Sequence, residues 1–401
     1  MPPKGKKVAI VGVGSSNFDP ITAGYSTKEL MYQAAKRAYS DAGVDARTDV
    51  GSFICCAEDF WEGISITDEY APDQLGAELR PLLTVSGEGL LGLAHGYMHI
   101  LAGVADIVAV ESHSKSSDVV SKTKIEELGY DPTFGRPGGV WPLYLAGLEM
   151  RRYLEESGNT PEDCAAVVVK NKNNALQNPR ASYGRKVSTE EVLASPEVAS
   201  PLKSMEISDS CDGSVVIVLA SAQRASRLSD EPVWVNGISW FSDTPNVEEM
   251  DLGHAVYAYH SSRQAYEMAG ITRPAAQIDF AEVDDTFAFK ELQHIDALGL
   301  AGTPSTTTKR KPSEGKQRNS GRFVSAGRAD PDGSLPINVS GGSLGMGYFI
   351  EASSLVRVHE AVLQLRGRAG ANQLSNPRRC VVQSWRGLPT QSGATAIFSS
   401  R

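Results

Sequence analysis

The feature that most constrains this chain is a glycine-rich loop that runs directly into an apolar helix pattern, from Leu335 to Ser354. Gly341, Gly342, Gly345 and Gly347 permit the positive φ angles and close backbone approach that a tight active-site loop needs. The helix predicted after the loop offers free amides at its N-terminus, where they can stabilise a developing anion. A functional site is therefore expected here, with Tyr348 as a side chain that can transfer a proton.

Composition narrows the class of protein. A length of 401 residues allows two domains or a duplicated one. The net charge of -9 disfavours a nucleic-acid or membrane-surface binder, and no apolar run reaches the roughly 18 residues of a membrane span. The five cysteines are an odd number without metal-ligand spacing, which favours a reducing compartment, the cytoplasm by default, and no metal site.

Strand and helix patterns alternate in the first part of the chain and again in the last part. A buried strand, the turn at Ser86, a buried helix and a further strand follow one another before residue 115. We predict two similar halves packed as stacked layers, with a longer excursion inserted in the first. The predicted domains are residues 1–114 with 206–230, an inserted loop domain at 115–205, and 231–401.

This order, with the glycine loop and the phrases Lys170-Asn-Lys-Asn-Asn-Ala-Leu and Cys211-Asp-Gly-Ser, resembles the thiolases over essentially the whole chain. The resemblance is strongest to the archaeal and sterol-carrier-protein-linked group. It implies an α/β thiolase fold, in which duplicated βαβαβ halves form stacked α/β/α/β/α layers with an inserted loop domain.

The positions that carry thiolase chemistry hold other residues here. Ser86 stands at the place of the nucleophilic cysteine, Asp284 at that of one histidine, and Tyr348 at that of the Gly-His-Pro histidine. A helix N-terminus stabilises an anion by only about 1 to 2 kcal/mol, which cannot ionise a serine without a neighbouring base. Thiolysis and Claisen condensation are therefore disfavoured.

The substituted residues suit proton transfer, because a tyrosine and a buried aspartate can both exchange protons. The profile resembles the thiolase-like aldolases of bacterial steroid side-chain degradation, which lack the cysteine and carry tyrosine at the Gly-His-Pro position. That resemblance implies retro-aldol cleavage of a β-hydroxyacyl-CoA, with Tyr348 as the acid/base. Asp284 or Asp285 would take the hydroxyl proton, and Ser86 with nearby amides would hold the thioester enolate. Asp284 replaces a second catalytic tyrosine of that group.

The same resemblance implies coenzyme A as part of the substrate, no tightly bound cofactor, a homodimer, and an OB-fold partner that often carries a zinc ribbon. Substrate-binding candidates are drawn from the glycine loop, the segment after residue 253 and the basic loop domain: Gly347, Gly342, His254, Tyr257, Arg185, Lys186 and Lys170. Two alternatives stay open. One is an acyltransferase that uses Ser86, and the other is a noncatalytic scaffold subunit.

Overall fold

The computed structural model describes residues 7–58, 66–119, 122–139, 141–302, 320–387 and 391–400. Eleven strands lie within these ranges: β1 (Val8–Ser15), β2 (Ser52–Cys56), β3 (Leu82–Val85), β4 (Ile107–Ser114), β5 (Glu197–Ala199), β6 (Leu202–Lys203), β7 (Gly213–Ser221), β8 (Val233–Ser242), β9 (Phe280–Glu282), β10 (Arg379–Gln383) and β11 (Ser392–Ser399). The same ranges contain the α-helices α1 (Thr27–Ala42), α2 (Thr67–Tyr70), α3 (Pro72–Leu75), α4 (Gly89–Ala102), α5 (Lys122–Glu127), α6 (Pro142–Ser157), α7 (Pro161–Ala175), α8 (Thr189–Ala194), α9 (Ala222–Leu228), α10 (Val256–Ala269), α11 (Pro274–Gln277), α12 (Ala288–Leu298), α13 (Ser320–Ser325), α14 (Gly342–Met346) and α15 (Ser353–Leu365).

The main sheet repeats one pattern of strand pairing. Its strand order is β3-β2-β4-β7-β1-β8-β11-β10-β9. In the first half β1 pairs antiparallel with β7, β7 antiparallel with β4, and β4 parallel with β2. In the second half β8, β11, β10 and β9 pair with the same three directions in the same order. The predicted duplication is thus confirmed by the topology.

Two helices lie between the half-sheets. The side chains of each strand alternate between two faces, so that Val8 and Ile10 of β1 point into the central core while Ala9 and Val11 point outward. Helices α4 and α15 fill the central core and contact strands of both halves. Helices α1 and α9 cover the outer face of the first half, and α10 and α12 lie on that of the second. The result is the predicted stack of five layers.

Local sequence signals set the ends of α1. Ser26 caps its first turn, and Glu29 completes the capping box by accepting from the backbone of Ser26. Gly43 ends the helix in the left-handed conformation, with φ of 64°. The periodic pattern between these signals buries one face of the helix on the sheet.

The chain between β4 and β7 contains α5 to α8 and the β5–β6 pair. This is the region predicted to be an inserted loop domain, whose boundaries stay a prediction. Helix α7 packs against α12, α13 and α14 of the second half, and so carries the insertion onto the glycine loop. None of the helices in the described ranges combines the length and the hydropathy needed to cross a membrane.

Candidate active site

The glycine loop is fixed by Asp285, which lies between β9 and α12. Its fully buried carboxylate accepts hydrogen bonds from the backbone N–H groups of Ser343 (2.6 Å) and Leu344 (3.1 Å). At Gly342 the φ angle is 58°, and a Cβ there would lie 2.6 Å from the Asp285 Cγ. Burial raises the pKa of Asp285 to about 7. Asp285 therefore positions the loop through contacts that only glycine at 342 allows.

A row of polar side chains from α7 and the following turn holds the other side of the loop. Each donates to one carbonyl of the glycine loop: Lys170 to Ile337 (2.8 Å), Lys172 to Leu344 (2.9 Å), Asn174 to Asn338 (3.0 Å) and Asn178 to Ser340 (3.0 Å). These bonds satisfy backbone groups that would otherwise be buried without partners. Lys170, predicted to meet coenzyme A phosphates, also lies 3.1 Å from Glu291, so its ammonium is engaged inside the protein.

Tyr348 is held through its backbone on both sides. Its N–H donates to the Asp209 carbonyl (2.7 Å), and its own carbonyl accepts from the Cys211 N–H (2.9 Å). The preceding Gly347 has a φ angle of 121°, and a Cβ there would lie 2.5 Å from the Cys211 Cβ. The Cys211-Asp-Gly-Ser phrase thus forms the wall against which Tyr348 is placed.

The phenol of Tyr348 lies in a negatively charged environment. Burial raises its pKa well above the ordinary value, and the carboxylates of Glu126, Glu351, Asp284 and Glu88 raise it further. A phenol of this kind stays protonated at neutral pH. The hydroxyl therefore carries its proton in the resting protein, and its role as acid/base stays a prediction.

Asp284 forms a buried ion pair with Arg357 of α15. The Arg357 Nη2 lies 2.7 Å from the Asp284 Oδ2 and also donates to the Ser343 Oγ at 2.7 Å. The second oxygen of Asp284 accepts from the Thr286 N–H at 3.0 Å. Burial alone would lower the pKa of Arg357, but the surrounding carboxylates, Asp284 first, raise it overall. Both oxygens of Asp284 are thus committed to groups within the protein.

Tyr257 is linked to Asp284 through a histidine. Its hydroxyl lies 2.7 Å from the His294 Nε2, while the His294 Nδ1 lies 2.8 Å from the backbone carbonyl of Asp284. A carbonyl can only accept, so Nδ1 carries the proton and Nε2 accepts from Tyr257. Burial, with the nearby Lys290, holds the pKa of His294 well below its ordinary range. The imidazole is therefore neutral and fixes the turn that carries Asp284.

The turn that carries Ser86 leads into α4, whose N-terminus contacts α15, the helix after the glycine loop. The Leu90 N–H donates to the Ser354 Oγ at 2.8 Å, and a Cβ at Gly89 would run into the Leu355 side chain. Ser86 is exposed, whereas Glu88 is buried two residues later. The structure therefore brings the two segments that carry Ser86 and Tyr348 together.

The remaining predicted binding residues have partners near the surface. His254 Nδ1 lies 3.0 Å from Asp251 and 3.4 Å from Glu156. The Arg185 Nη2 lies 3.7 Å from the Met205 sulfur, and both Arg185 and Lys186 are exposed. Arg185 and Lys186 remain available to an anionic ligand, and their coenzyme A role stays a prediction.

Thiolase-type nucleophiles are not formed by the cysteines and histidines of this structure. All five cysteines are buried thiols outside any disulfide, and burial raises the pKa of the Cys56, Cys164, Cys211 and Cys380 thiols. The seven histidines contact other groups, namely His95 with Trp240, His99 with Ser52, His113 with Glu111, His254 with Asp251, His260 with Phe241, His294 with Tyr257 and His359 with Glu360. In the described part of the chain none of these imidazoles forms a hydrogen bond with Ser86 that could activate it.

Among the described residues, two groups of side chains come close enough to hold a metal ion. The ligand atoms of Cys55, Glu111 and His113 lie within 4.8 Å of one another, as do those of Glu156, Asp251 and His254. Glu111 already accepts from the Cys55 Sγ (3.2 Å) and the Ser214 Oγ (2.8 Å). In the first group the polar atoms satisfy one another, which explains how they can be buried in the sheet.

Sequence reasoning missed three residues that interact with Asp284, namely Glu88, His294 and Arg357. A signal existed for two of them. Arg357 is a cation within the apolar run of α15, and Glu88 is an acid directly before an apolar helix. His294 lies on α12 among other polar residues, and nothing in its spacing points to Tyr257.

Comparisons with known proteins place these features in context. Residues 240–400 match the family model of the thiolase C-terminal domain-like family. An acetyl-CoA acetyltransferase of Methanothermobacter thermautotrophicus is 29% identical over 92% of this chain and 93% of that protein. The 17-hydroxy-3-oxo-4-pregnene-20-carboxyl-CoA lyase of Mycobacterium tuberculosis is 27% identical over 96% and 97%. The structure of an Ltp2-ChsH2(DUF35) aldolase has the same fold, with a TM-score of 0.80 and 23% identity over 98% of this chain and 97% of that chain.

Proposed function

The chain belongs to the thiolase superfamily, and we propose that it is a lyase that splits a β-hydroxyacyl-CoA into a carbonyl compound and a shorter acyl-CoA. The observation that carries this proposal is the protonated Tyr348 on the glycine loop, beside a cluster of carboxylates and without an activated nucleophile. Retro-aldol cleavage needs a proton acceptor and a proton donor but no covalent intermediate. The cluster supplies both kinds of group.

In the proposed reaction a carboxylate takes the proton of the β-hydroxyl, and the oxygen becomes a carbonyl. The bond between the α and β carbons breaks, and its electron pair forms the enolate of the remaining thioester. In this scheme Ser86 with nearby backbone N–H groups would stabilise that oxyanion. Tyr348 then donates its proton to the α carbon. Asp285 acts through the loop that it holds.

The substrate that we propose is a steroid side-chain thioester of coenzyme A. The lyase of M. tuberculosis that shares 27% identity is named for such a compound. An acetyltransferase relative favours a second candidate, acyl transfer through Ser86. The two differ in whether an acyl group becomes attached to the protein.

We further propose a cytoplasmic homodimer that binds a DUF35 subunit with an OB fold. Strand β3 lies at the edge of the sheet and pairs only with β2 among the strands described, and its Leu83 is 42% exposed. An unpaired strand edge of this kind is a template for a second copy of the chain. The Ltp2-ChsH2(DUF35) aldolase supports the second subunit, and the free cysteines support a reducing compartment.

The test is to incubate the purified protein, alone and with a DUF35 subunit, with 17-hydroxy-3-oxo-4-pregnene-20-carboxyl-CoA and measure the carbonyl product. We expect Tyr348→Phe to lower turnover by about 100-fold or more, because it removes a general acid. Tyr266→Phe is the matched control, since Tyr266 is a buried phenol that donates to Leu298 on the outer helices. Unchanged turnover in Tyr348→Phe would refute the role of Tyr348. An acyl ester on Ser86, detected by mass spectrometry, would instead support acyl transfer.

A further inference from the structure

Glu88 occupies the N-cap position of α4, yet its side chain does not cap the helix. Side chains of Ser, Thr, Asp and Asn usually accept from the second or third N–H of a helix at this position, and glutamate is not among them. Here the second N–H, that of Leu90, donates to Ser354 of α15. Ser354 thus supplies the cap, while the Glu88 side chain is buried in the protein.

The Glu88 carboxylate is buried with an open acceptor. The residue is only 7% exposed, and its Oε2 has no hydrogen-bond partner among the residues described. An unpaired buried carboxylate oxygen is costly, so its position calls for a polar ligand. Arg357 supplies the complementary feature, since its Nε and Nη1 are also buried without partners in the described part of the chain.

Several charged groups act on Glu88 and on one another. Burial raises the pKa of Glu88 to about 8; the Asp284 charge acts in the same direction, while the Ser384 hydroxyl, Arg357 and Arg386 oppose it. Glu88 in turn raises the pKa values of three nearby groups, those of Tyr348, Tyr257 and Cys56. The open carboxylate therefore belongs to the same cluster as the proposed proton donor.

The two aspartates are less suitable as bases. Asp284 gives one oxygen to Arg357 and the other to the Thr286 N–H. Asp285 accepts from Ser343, Leu344 and Asn171. Protonating either one would break contacts that hold the glycine loop, whereas Glu88 has an oxygen with no such duty.

We propose that Glu88 is the proton acceptor of the reaction, the residue that takes the proton from the β-hydroxyl of the substrate. This inference rests on the proposed retro-aldol function. The open N–H groups of Arg357 donate to the same hydroxyl oxygen while its proton leaves. After cleavage Glu88 holds one proton and Tyr348 has given one to the α carbon, so that proton transfer from Glu88 to Tyr348, through water, restores the resting state without any further reactant.

The test compares Glu88→Gln with Glu282→Gln in the full chain, assayed on 17-hydroxy-3-oxo-4-pregnene-20-carboxyl-CoA with the DUF35 subunit present. Glu282 is a matched control because it is fully buried with a pKa near 8, but both its oxygens accept from Ser340. We expect Glu88→Gln to lower kcat by about 100-fold or more with little change in KM, and to remove the rise of kcat with pH near 8. Glu282→Gln should keep the wild-type profile.

A second measurement separates Glu88 from Tyr348. The residual turnover of both variants is followed from neutral to alkaline pH. Tyr348→Phe keeps Glu88 and should therefore retain the rise of kcat with pH at its lower rate, whereas Glu88→Gln should lose that rise. If Glu88→Gln cleaves the substrate at the wild-type rate with an unchanged pH profile, the role of Glu88 alone is overturned. Absence of cleavage by the wild type overturns the proposed function and this inference with it.

Discussion

Replacing Arg357 by methionine tests whether the cluster depends on one buried cation. Methionine keeps an unbranched side chain of similar length but leaves Asp284 and Asp285 without their guanidinium partner. The Arg357 and Asp284 side chains are 3% and 1% exposed, so water cannot compensate for the lost charge. Removing one member of a buried ion pair costs about 3–5 kcal/mol, and we expect the free energy of unfolding to fall by that amount.

The matched control is Arg368→Met. Arg368 also pairs with two carboxylates, Asp41 at 3.1 Å and Glu231 at 2.7 Å, but its side chain is 51% exposed. An exposed pair contributes less than about 1 kcal/mol, so this variant should be close to the wild type. Urea denaturation followed by tryptophan fluorescence measures both changes.

The destabilisation should also depend on pH. Burial raises the pKa of Asp285 to about 7 although Arg357 lowers it, so without Arg357 the pKa of Asp285 rises further, and a carboxyl whose folded pKa is raised loses its stabilising contribution as the pH increases through that value. The difference between Arg357→Met and the wild type should therefore be smaller at pH 5 than at pH 8. Adding Asp284→Asn should restore part of the stability. Equal stability of the Arg357→Met and Arg368→Met proteins would refute this account of the cluster.

Two further predictions concern the glycine loop and a buried acid. Gly342→Ala should lower the thermal midpoint and the cleavage rate together, because its Cβ would collide with Asp285 at a φ angle of 58°. The control is Gly43→Ala, which has a φ of 64° and no atom within 4 Å of the added Cβ, and therefore measures the cost of the backbone angle alone. Equal losses in the two variants would contradict the prediction. Burial raises the pKa of Glu282 to about 8 from 4.5, so its contribution to stability is present below pH 4.5 and is lost as the pH rises through 8. Glu282→Gln should therefore be more stable relative to the wild type at pH 9 than at pH 5 in thermal melts, and an unchanged difference would contradict this.

The elements that the sequence predicts well have local signals at their ends. Helix α1 begins at Ser26 with Glu29 three residues on and stops at Gly43, all within the segment itself. The glycine loop and the Ser86 turn were predicted for the same reason, since glycine spacing is a local property. The repeated order of strands and helices then leads to the duplicated fold.

The composition of the cluster could not be predicted in this way. Leu90 and Ser354 are 264 residues apart, so no local pattern shows that Ser354 caps α4 beside the buried Glu88. From the sequence alone, Asp284 and Asp285 are likewise equal candidates for taking the hydroxyl proton. Their roles differ because Asp284 pairs with Arg357, whereas Asp285 holds the backbone of α14. Both outcomes depend on packing between distant segments.

The row of donors on α7 has a consequence for how relatives of this protein can be recombined. A chimera that takes residues 115–205 from another member would also exchange the side chains at positions 170, 172, 174 and 178, which hold four carbonyls of the glycine loop. Unless the donor sequence supplies matching amino or amide groups there, the recipient's proton donor loses its support. The insertion and the glycine loop therefore have to be exchanged together if the backbone support of Tyr348 is to be kept.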